Sequence, residues 1–394
     1  MSKNNKISLN SEELKSFLTY INANNAVLIG KNLPAQTVNV EGEAGGGKTS
    51  TIIQFANEMN MEVIRKNLAE LEDVSDLVGY PCKEHELVKG DLTKWVTEGT
   101  ITQYIQAGYK PTDEKRMTHA APEWIQGKTK PVILLLDDYS RASEKFIQAT
   151  MTLLENQTYN NWSLPKGSFV ILTSNPDNGN YSVSTMDSAQ KTRVINVNYK
   201  FDAQVWARYA EKTGIDGRCI NYLLLHPELM KEESGINART VTMFFNSLMS
   251  IDNFSNELPL IQQLGEATTN PEFTIMFTTF INNKLDKLVT PKNMLLQDNE
   301  SYILGEIKSC IGQGDSYRAD IASVLATRLI NFTVEYAEKH TINQAIIDRL
   351  IAFATVDLFT NDLKYIIIKN IIKGNKQKFQ KLMLNTEVIK MAGK

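Results

Sequence analysis

Residues Gly42-Glu43-Ala44-Gly45-Gly46-Gly47-Lys48-Thr49 fit the pattern G-x-x-x-x-G-K-[ST]. The mechanism of such a loop fixes its surroundings. Backbone N–H groups must turn inward around phosphate oxygens, and a helix must begin at once so that its N-terminus adds partial positive charge. The loop therefore has to follow a strand and open a helix. Thr37–Val40 supplies a β-branched stretch before it, and Ser50 to about Met59 reads as a helix after it. The glycines let the backbone wrap the phosphates. Lys48 is placed to reach the β- and γ-phosphates, and Thr49 to hold magnesium. Gly42, Gly45, Gly46, Gly47, Lys48, Thr49 and Ser50 form the expected nucleotide-binding set. A glycine-rich turn without a ligand is the alternative, and the flanking strand and helix weigh against it.

The rest of the first half supplies a sheet for this loop. Asn10-x-x-Glu13 forms a capping box for a helix through about Ile21. Glu62–Arg65 reads as a second strand. Residues 70–129 are mixed and polar, with turn signals at Gly79-Tyr80-Pro81, Lys110-Pro111 and Gly127. Val132–Leu136 is a continuous apolar run, as a strand buried on both faces requires. Ala142–Asn156 follows as a helix, Phe169–Thr173 as a further buried strand, and Val194–Val197 as the last. Strands alternating with helices predict an open parallel α/β sheet with helices on both faces. After Phe201 the helical period dominates, over Asp202–Met230, Asn237–Met249, Ala319–Glu338, Gln344–Phe359 and Leu363–Leu384.

Val132–Leu136 runs into Asp137-Asp138. Two carboxylates at the end of a buried strand are costly unless a cation or water uses them. Asp137 is expected on the magnesium shell and Asp138 facing an attacking water. A cap for the helix starting near Ala142 is the alternative for this pair. Asn175 ends the next strand and can bridge the water and the γ-phosphate, unless it only forms an Asn-Pro turn. Ligands of open parallel sheets bind beyond the carboxyl ends of the strands. The loop, Asp137 and Asn175 all fall on that edge.

Composition narrows the class. Hydrophobic residues are 42% and charged residues 22%, ordinary globular usage. A net charge of -3 excludes a basic nucleic-acid coat. No apolar run approaches a membrane span, and the N-terminal residues show no apolar signal core. Cys82, Cys219 and Cys310 lie far apart and read as free thiols of a reducing cytoplasm. His85, His119, His226 and His340 are equally scattered, which argues against a histidine metal site. Only ten of the 42 basic residues are arginine, so an arginine at a chemically meaningful position is informative.

The phosphate loop, LLLDDYSRA, ILTSNPD and MDSAQKTRV, in that order, resemble the AAA+ ATPases of the MoxR branch. That branch commonly reads aspartate-glutamate, two residues, then Arg-Ala, where this chain has Asp137-Asp138-Tyr139-Ser140-Arg141-Ala142. Asp76–Pro81 and Ala121–Ile125 are also similar to stretches of that branch. The resemblance covers about residues 15 to 250. It implies magnesium-dependent hydrolysis of ATP. It also implies a nucleotide-binding α/β domain over 1–199, a helical lid over 200–252 and a C-terminal all-α domain over 253–394. Arg193 falls where the family places an arginine finger acting on a neighbouring subunit. Arg239 falls where the lid supplies a second γ-phosphate arginine. Surface ion pairs are the alternative for both, and for Arg141. A finger acting in trans implies a homo-oligomeric ring, expected as a hexamer, remodelling or assembling a protein partner. A protein with a von Willebrand factor A-type domain is implied by the resemblance alone.

Two departures accompany it. The family glutamate is Asp138 here, and the insert before the acidic strand is long. Trp95, Tyr104, Trp124, Tyr159 and Trp162 are candidates for a ring pore or for plain core. Two further readings stay open. One is a DNA-transacting AAA+ ATPase resembling a clamp loader or helicase loader, for which the Lys-rich tail (Lys364, Lys369, Lys373, Lys376, Lys378, Lys381) speaks. The other is an ATP-gated scaffold with very slow hydrolysis.

Overall fold

A computed structural model of the protein describes residues 7–176, 188–230, 235–282, 288–355, 357–386 and 388. Asp177 and Met186-Asp187 of the motifs above, and Val356 of the expected helix Gln344–Phe359, lie outside the described residues. The chain divides into two units, 1–200 and 201–394.

The first unit opens with β1 (Ser8–Leu9) and α1 (Ser11–Gly30). The capping box forms. The Asn10 side chain accepts from the Glu12 and Glu13 N–H groups, and Glu13 Oε2 accepts from Asn10 N–H at 2.9 Å. The helix runs past Ile21 because Asn25 tethers it. Asn25 Nδ2 donates to Gln36 O at 2.9 Å and Oδ1 accepts from Gln36 N–H at 2.7 Å. Next come β2 (Thr37–Glu41), α2 (Lys48–Glu58), β3 (Glu62–Asn67) and α3 (Ser75–Val78).

The polar stretch that follows is not featureless. It builds β4 (Pro81–Lys89), β5 (Leu92–Thr97), α4 (Ile101–Gln106) and β6 (Lys110–His119). These strands make a three-stranded antiparallel sheet in the order β5-β4-β6. Among its hydrophobic residues Leu87 and Val96 are buried, so the sheet shows no alternating apolar pattern. After it come β7 (Val132–Asp137), α5 (Glu144–Asn156), the hairpin of β8 (Thr158–Tyr159) and β9 (Trp162–Ser163), and β10 (Phe169–Ser174). The unit closes with α6 (Ser188–Lys191) and β11 (Val194–Tyr199).

The main sheet is six-stranded, in the order β1-β11-β2-β10-β7-β3, and every pair is parallel. Period-2 alternation sends β7 and β10 side chains to opposite faces. Ile133, Leu135, Phe169 and Ile171 meet Leu14, Leu18, Ile52 and Phe55 of α1 and α2. Leu134, Leu136, Val170 and Leu172 meet Phe146, Ile147, Leu153 and Leu154 of α5. Helices thus cover both faces, which is why both strands read as unbroken apolar runs. Each such side chain contributes about 1.5–3 kcal/mol on burial. Trp162 belongs to the α5-side core, and Trp124 and Tyr159 pack against it. Trp95 lies in the small sheet, with the Arg116 guanidinium 4.5 Å from its ring centre.

The second unit is helical: α7 (Ala203–Thr213), α8 (Gly217–Leu225), α9 (Ala238–Ser247), α10 (Leu258–Thr268) and α11 (Pro271–Asn282). It continues through α12 (Pro291–Leu296), α13 (Glu300–Ile311), α14 (Ala319–Lys339), α15 (Gln344–Thr355), α16 (Asn361–Gly374) and α17 (Gln380–Leu384). Tyr222, Phe244, Phe245, Phe273 and Phe277 centre a core shared by α7 to α11. Leu325, Phe353, Ile367 and Phe379 centre another, shared by α12 to α17. Arg328 of α14 joins the two cores, donating to Glu211 at 2.7 Å and to Asn221 at 3.0 Å. The cysteines are free thiols, and burial pushes the Cys219 thiol well up. Among the described residues no helix is long and apolar enough to cross a membrane. The parallel phosphate-loop sheet with helices on both faces, followed by an all-helical remainder, is the architecture expected from the sequence.

Candidate nucleotide-binding site

The phosphate loop is held at both ends. Gly42 N–H donates to Ser174 O at 3.1 Å, tying the loop to the end of β10. Gly45 and Gly47 take φ of 73° and 105°, the left-handed region where a side chain is strained. At Gly42 a β-carbon would lie 2.8 Å from Tyr199 O. At Gly47 it would meet Tyr199 Oη at 3.2 Å, so the Tyr199 ring lies along the loop. Gly47 also caps α2. Lys48 is 7% exposed, and its Nζ donates to Gly42 O (2.5 Å), Glu43 O (3.0 Å) and Asn175 Oδ1 (3.1 Å). Thr49 is half-buried and Ser50 exposed in the first turn of α2.

Strand alternation aims the next residues. Asp137 and Thr173 continue the faces of Leu135 and Ile171, toward α2. Thr49 Oγ1 donates to Asp137 Oδ1 at 2.9 Å. Thr173 Oγ1 donates to the same oxygen and accepts from Asp138 N–H at 3.0 Å. Arg65 of β3 reaches Asp137 Oδ2 with Nε at 2.7 Å and Nη2 at 2.6 Å. Asp138 is left-handed at φ 54°, ψ 37°, which turns the chain sharply out of β7. Its side chain caps no helix, and Ser143 takes the cap position of α5. Asn175 Nδ2 lies 3.5 Å from Asp138 Oδ1, and Asn175 N–H donates to Ser140 Oγ at 3.0 Å. One polar chain therefore joins Lys48, Thr49, Asp137, Asp138 and Asn175. Arg65, Thr173 and Ser140 belong to it, and Tyr199 lies along the loop; the sequence pattern marked none of the four. The register of β7 against β3 and β10 is the signal that finds the first two.

Arg193 lies at the opposite edge of the same sheet. Arg193 precedes β11, whose Val194 pairs with Thr37 at the start of β2. Its Nε donates to Glu155 Oε2 at 3.2 Å. Four strand residues, about 13 Å, separate that edge from the loop end of β2. Arg193 is therefore not part of its own chain's phosphate site. Arg141 is exposed, with its N–H on Asp138 O at 2.8 Å. Arg239 is exposed in the first turn of α9, in the second unit, and its N–H donates to Asn237 Oδ1 at 3.0 Å.

The residues fit ATP and Mg2+. A hydroxyl and a carboxylate in contact are hard oxygen donors of the kind Mg2+ takes, alongside phosphates and water. Among the described residues no cluster of three or more His, Cys, Asp or Glu could hold a metal alone. The glycine cradle, closed to side chains at Gly42, and the buried Lys48 fit a polyphosphate.

Fold and site together define a phosphate-loop α/β domain. No family model matches the chain, and no curated protein matches it. Among solved structures it is similar to the Thermotoga maritima RuvB Holliday junction branch migration motor. The match is 11% identical with a TM-score of 0.35, over 76% of this chain and 82% of that one. It is also similar to a point mutant of that RuvB, at 11% identity and a TM-score of 0.37 over 77% and 82%. Likenesses this slight say nothing of what this chain does.

Proposed function

We propose that the protein is a magnesium-dependent ATPase of the AAA+ type. One observation carries this reading. The Lys48-Thr49 pair is hydrogen-bonded at once to the ends of two neighbouring strands, Lys48 to Asn175 at 3.1 Å and Thr49 to Asp137 at 2.9 Å. Lys48 would leave the loop carbonyls for the β- and γ-phosphates. Thr49 and Asp137 would hold Mg2+, whose charge supports the departing phosphates. Asp138 and Asn175 would orient the attacking water, since both end strands on the loop side of the sheet. The left-handed turn at Asp138 lifts its carboxylate out of the strand to do so.

Arg193 would act on a neighbouring subunit's nucleotide, consistent with its place at the far edge of its own sheet, and Arg239 from the lid. We propose the lid as residues 200–252, enlarged by the rest of the core that α7 to α11 share. A ring, as a hexamer of the MoxR branch working on a protein partner, is the finer proposal. The lysine tail lends the DNA reading little support. Lys364 pairs with Asp357 at 3.6 Å, Lys378 donates to the Ala337 and His340 carbonyls, and Lys381 donates to Gln344 at 2.7 Å. These three are engaged within the chain and do not form a free basic stripe.

The test is steady-state phosphate release under saturating ATP and Mg2+. Aspartate is one methylene shorter than glutamate, and misplacement of about 1 Å can cost on the order of 10²-fold. Slow basal turnover is expected. Asp138→Asn should still bind ATP and release no phosphate above background, and Asp138→Glu should match or exceed the wild type. An Asp138→Asn protein as fast as wild type refutes the role of Asp138.

A further inference from the structure

Asp137, the carboxylate assigned above to Mg2+, already carries a cation. Arg65 Nε and Nη2 converge on its Oδ2 at 2.7 and 2.6 Å, Thr173 engages Oδ1, and Thr49 Oγ1 donates to Oδ1 at 2.9 Å with Oδ2 at 3.2 Å. The carboxylate is 4% exposed and the arginine side chain 51%. A buried carboxylate is costly without a compensating charge, and a guanidinium placing two donors on it is a strong form of compensation. β3 is the outermost strand of the sheet, so no further strand covers the guanidinium. Arg65 is thus anchored at its tip on a buried oxygen, with about half of its side chain open to solvent.

We propose that Arg65 is a positioning residue that competes with the divalent cation for Asp137 Oδ2, so that metal engages Asp137 only as the guanidinium releases it. The proposal rests on the nucleotide-site reading above. Its consequence is specific. Part of what Mg2+ adds to nucleotide binding is offset by displacing Arg65, so removing Arg65 should make binding more metal-dependent. A merely structural brace would change stability and leave that dependence alone.

The experiment measures affinity for a non-hydrolysable ATP analogue by calorimetry, in excess Mg2+ and in EDTA, and takes the ratio. Arg65→Ala and the bulkier Arg65→Gln should each raise the ratio about five- to tenfold, the scale of a partly exposed charge-assisted pair. Arg65→Lys keeps a charge but cannot place two donors on one oxygen, so it should fall between them and wild type. Circular dichroism identifies folded variants, and whichever of the three folds carries the comparison. A ratio that is unchanged or lower, with or without a lower unfolding midpoint, overturns the proposal. Wild-type protein that binds no analogue in either buffer would instead refute the nucleotide site itself. Normal wild-type binding with an unchanged ratio in the variants removes only the role of Arg65.

Discussion

Thr173→Val isolates the hydroxyl that joins the two aspartates. Thr173 is 1% exposed, and valine fills nearly the same space, so no cavity opens. Two hydrogen bonds are lost: the one donated to the Asp137 carboxylate, and the one accepted from Asp138 N–H at 3.0 Å. A bond to a charged group contributes about 1.5–3 kcal/mol and a neutral one about 0.5–1.5. Asp137 keeps Thr49 and Arg65, and the half-buried Asp138 can hydrate its N–H, which argues for the lower half of the sum. The expected cost is about 2–3 kcal/mol. Thr173→Ser keeps the hydroxyl and loses one buried methyl, about 1 kcal/mol. A chain of two units need not unfold in one step, so a global midpoint is the wrong readout. Peptide-resolved hydrogen exchange over Val132–Asp137 and Phe169–Ser174 reports the affected strands directly. Valine should speed exchange there far more than serine does. Equal effects of serine and valine, or wild-type protection in the valine variant, would refute the hydroxyl's role.

Two other outcomes follow, the first from the proposed role of Arg193 and the second from an ion pair at α8. Arg193→Ala should keep ATP binding and lose hydrolysis by about 10³-fold, and mixing it with Lys48→Ala protein should restore some activity. Mixed samples that assemble yet stay inactive would exclude action in trans. Asp216 caps α8 and pairs with Arg218 at 2.7 Å. Burial raises its pKa, but the Arg218 hydrogen bonds and the charges of Arg218 and Arg328 outweigh that and hold it below the ordinary value. A depressed carboxylate stabilises the fold above its unfolded pKa of about 3.9 and loses that contribution as the pH falls through its folded value. Asp216→Asn should therefore cost about 1 kcal/mol at neutral pH and progressively less in acid. A difference in hydrogen-exchange protection over Gly217–Leu225 that persists undiminished well below that range would show that the ion pair is not its source.

The parts of the fold that were legible are those where one local rule dominates. Buried parallel strands read as apolar runs, so Val132–Leu136 and Phe169–Thr173 stood out, and the phosphate loop between Thr37–Val40 and its helix stood out on its glycines. The small sheet at 81–119 did not, because its strands bury few apolar residues, Leu87 and Val96 among them, and hold together by pairing and by contacts such as Arg116 on Trp95. Strand register was the missing link at the site. Thr173 lies beside Asp137 only because β10 and β7 pair as they do, and Arg65 reaches Asp137 only across the β3–β7 pairing. Helix length at α1 was hidden for a similar reason. Asn25 is an ordinary polar residue until the backbone at Gln36 meets it.

The central claim is that the loop at Gly42–Thr49 binds nucleotide through Lys48. The most direct measurement is calorimetric ATP binding to wild-type and Lys48→Ala protein, with circular dichroism on the same samples. Lys48 bonds to two loop carbonyls and to Asn175, outside the helix and strand ladders, so its loss should leave the spectrum unchanged. Wild type should bind ATP and the variant should not. Wild-type affinity in a folded Lys48→Ala protein would contradict the account.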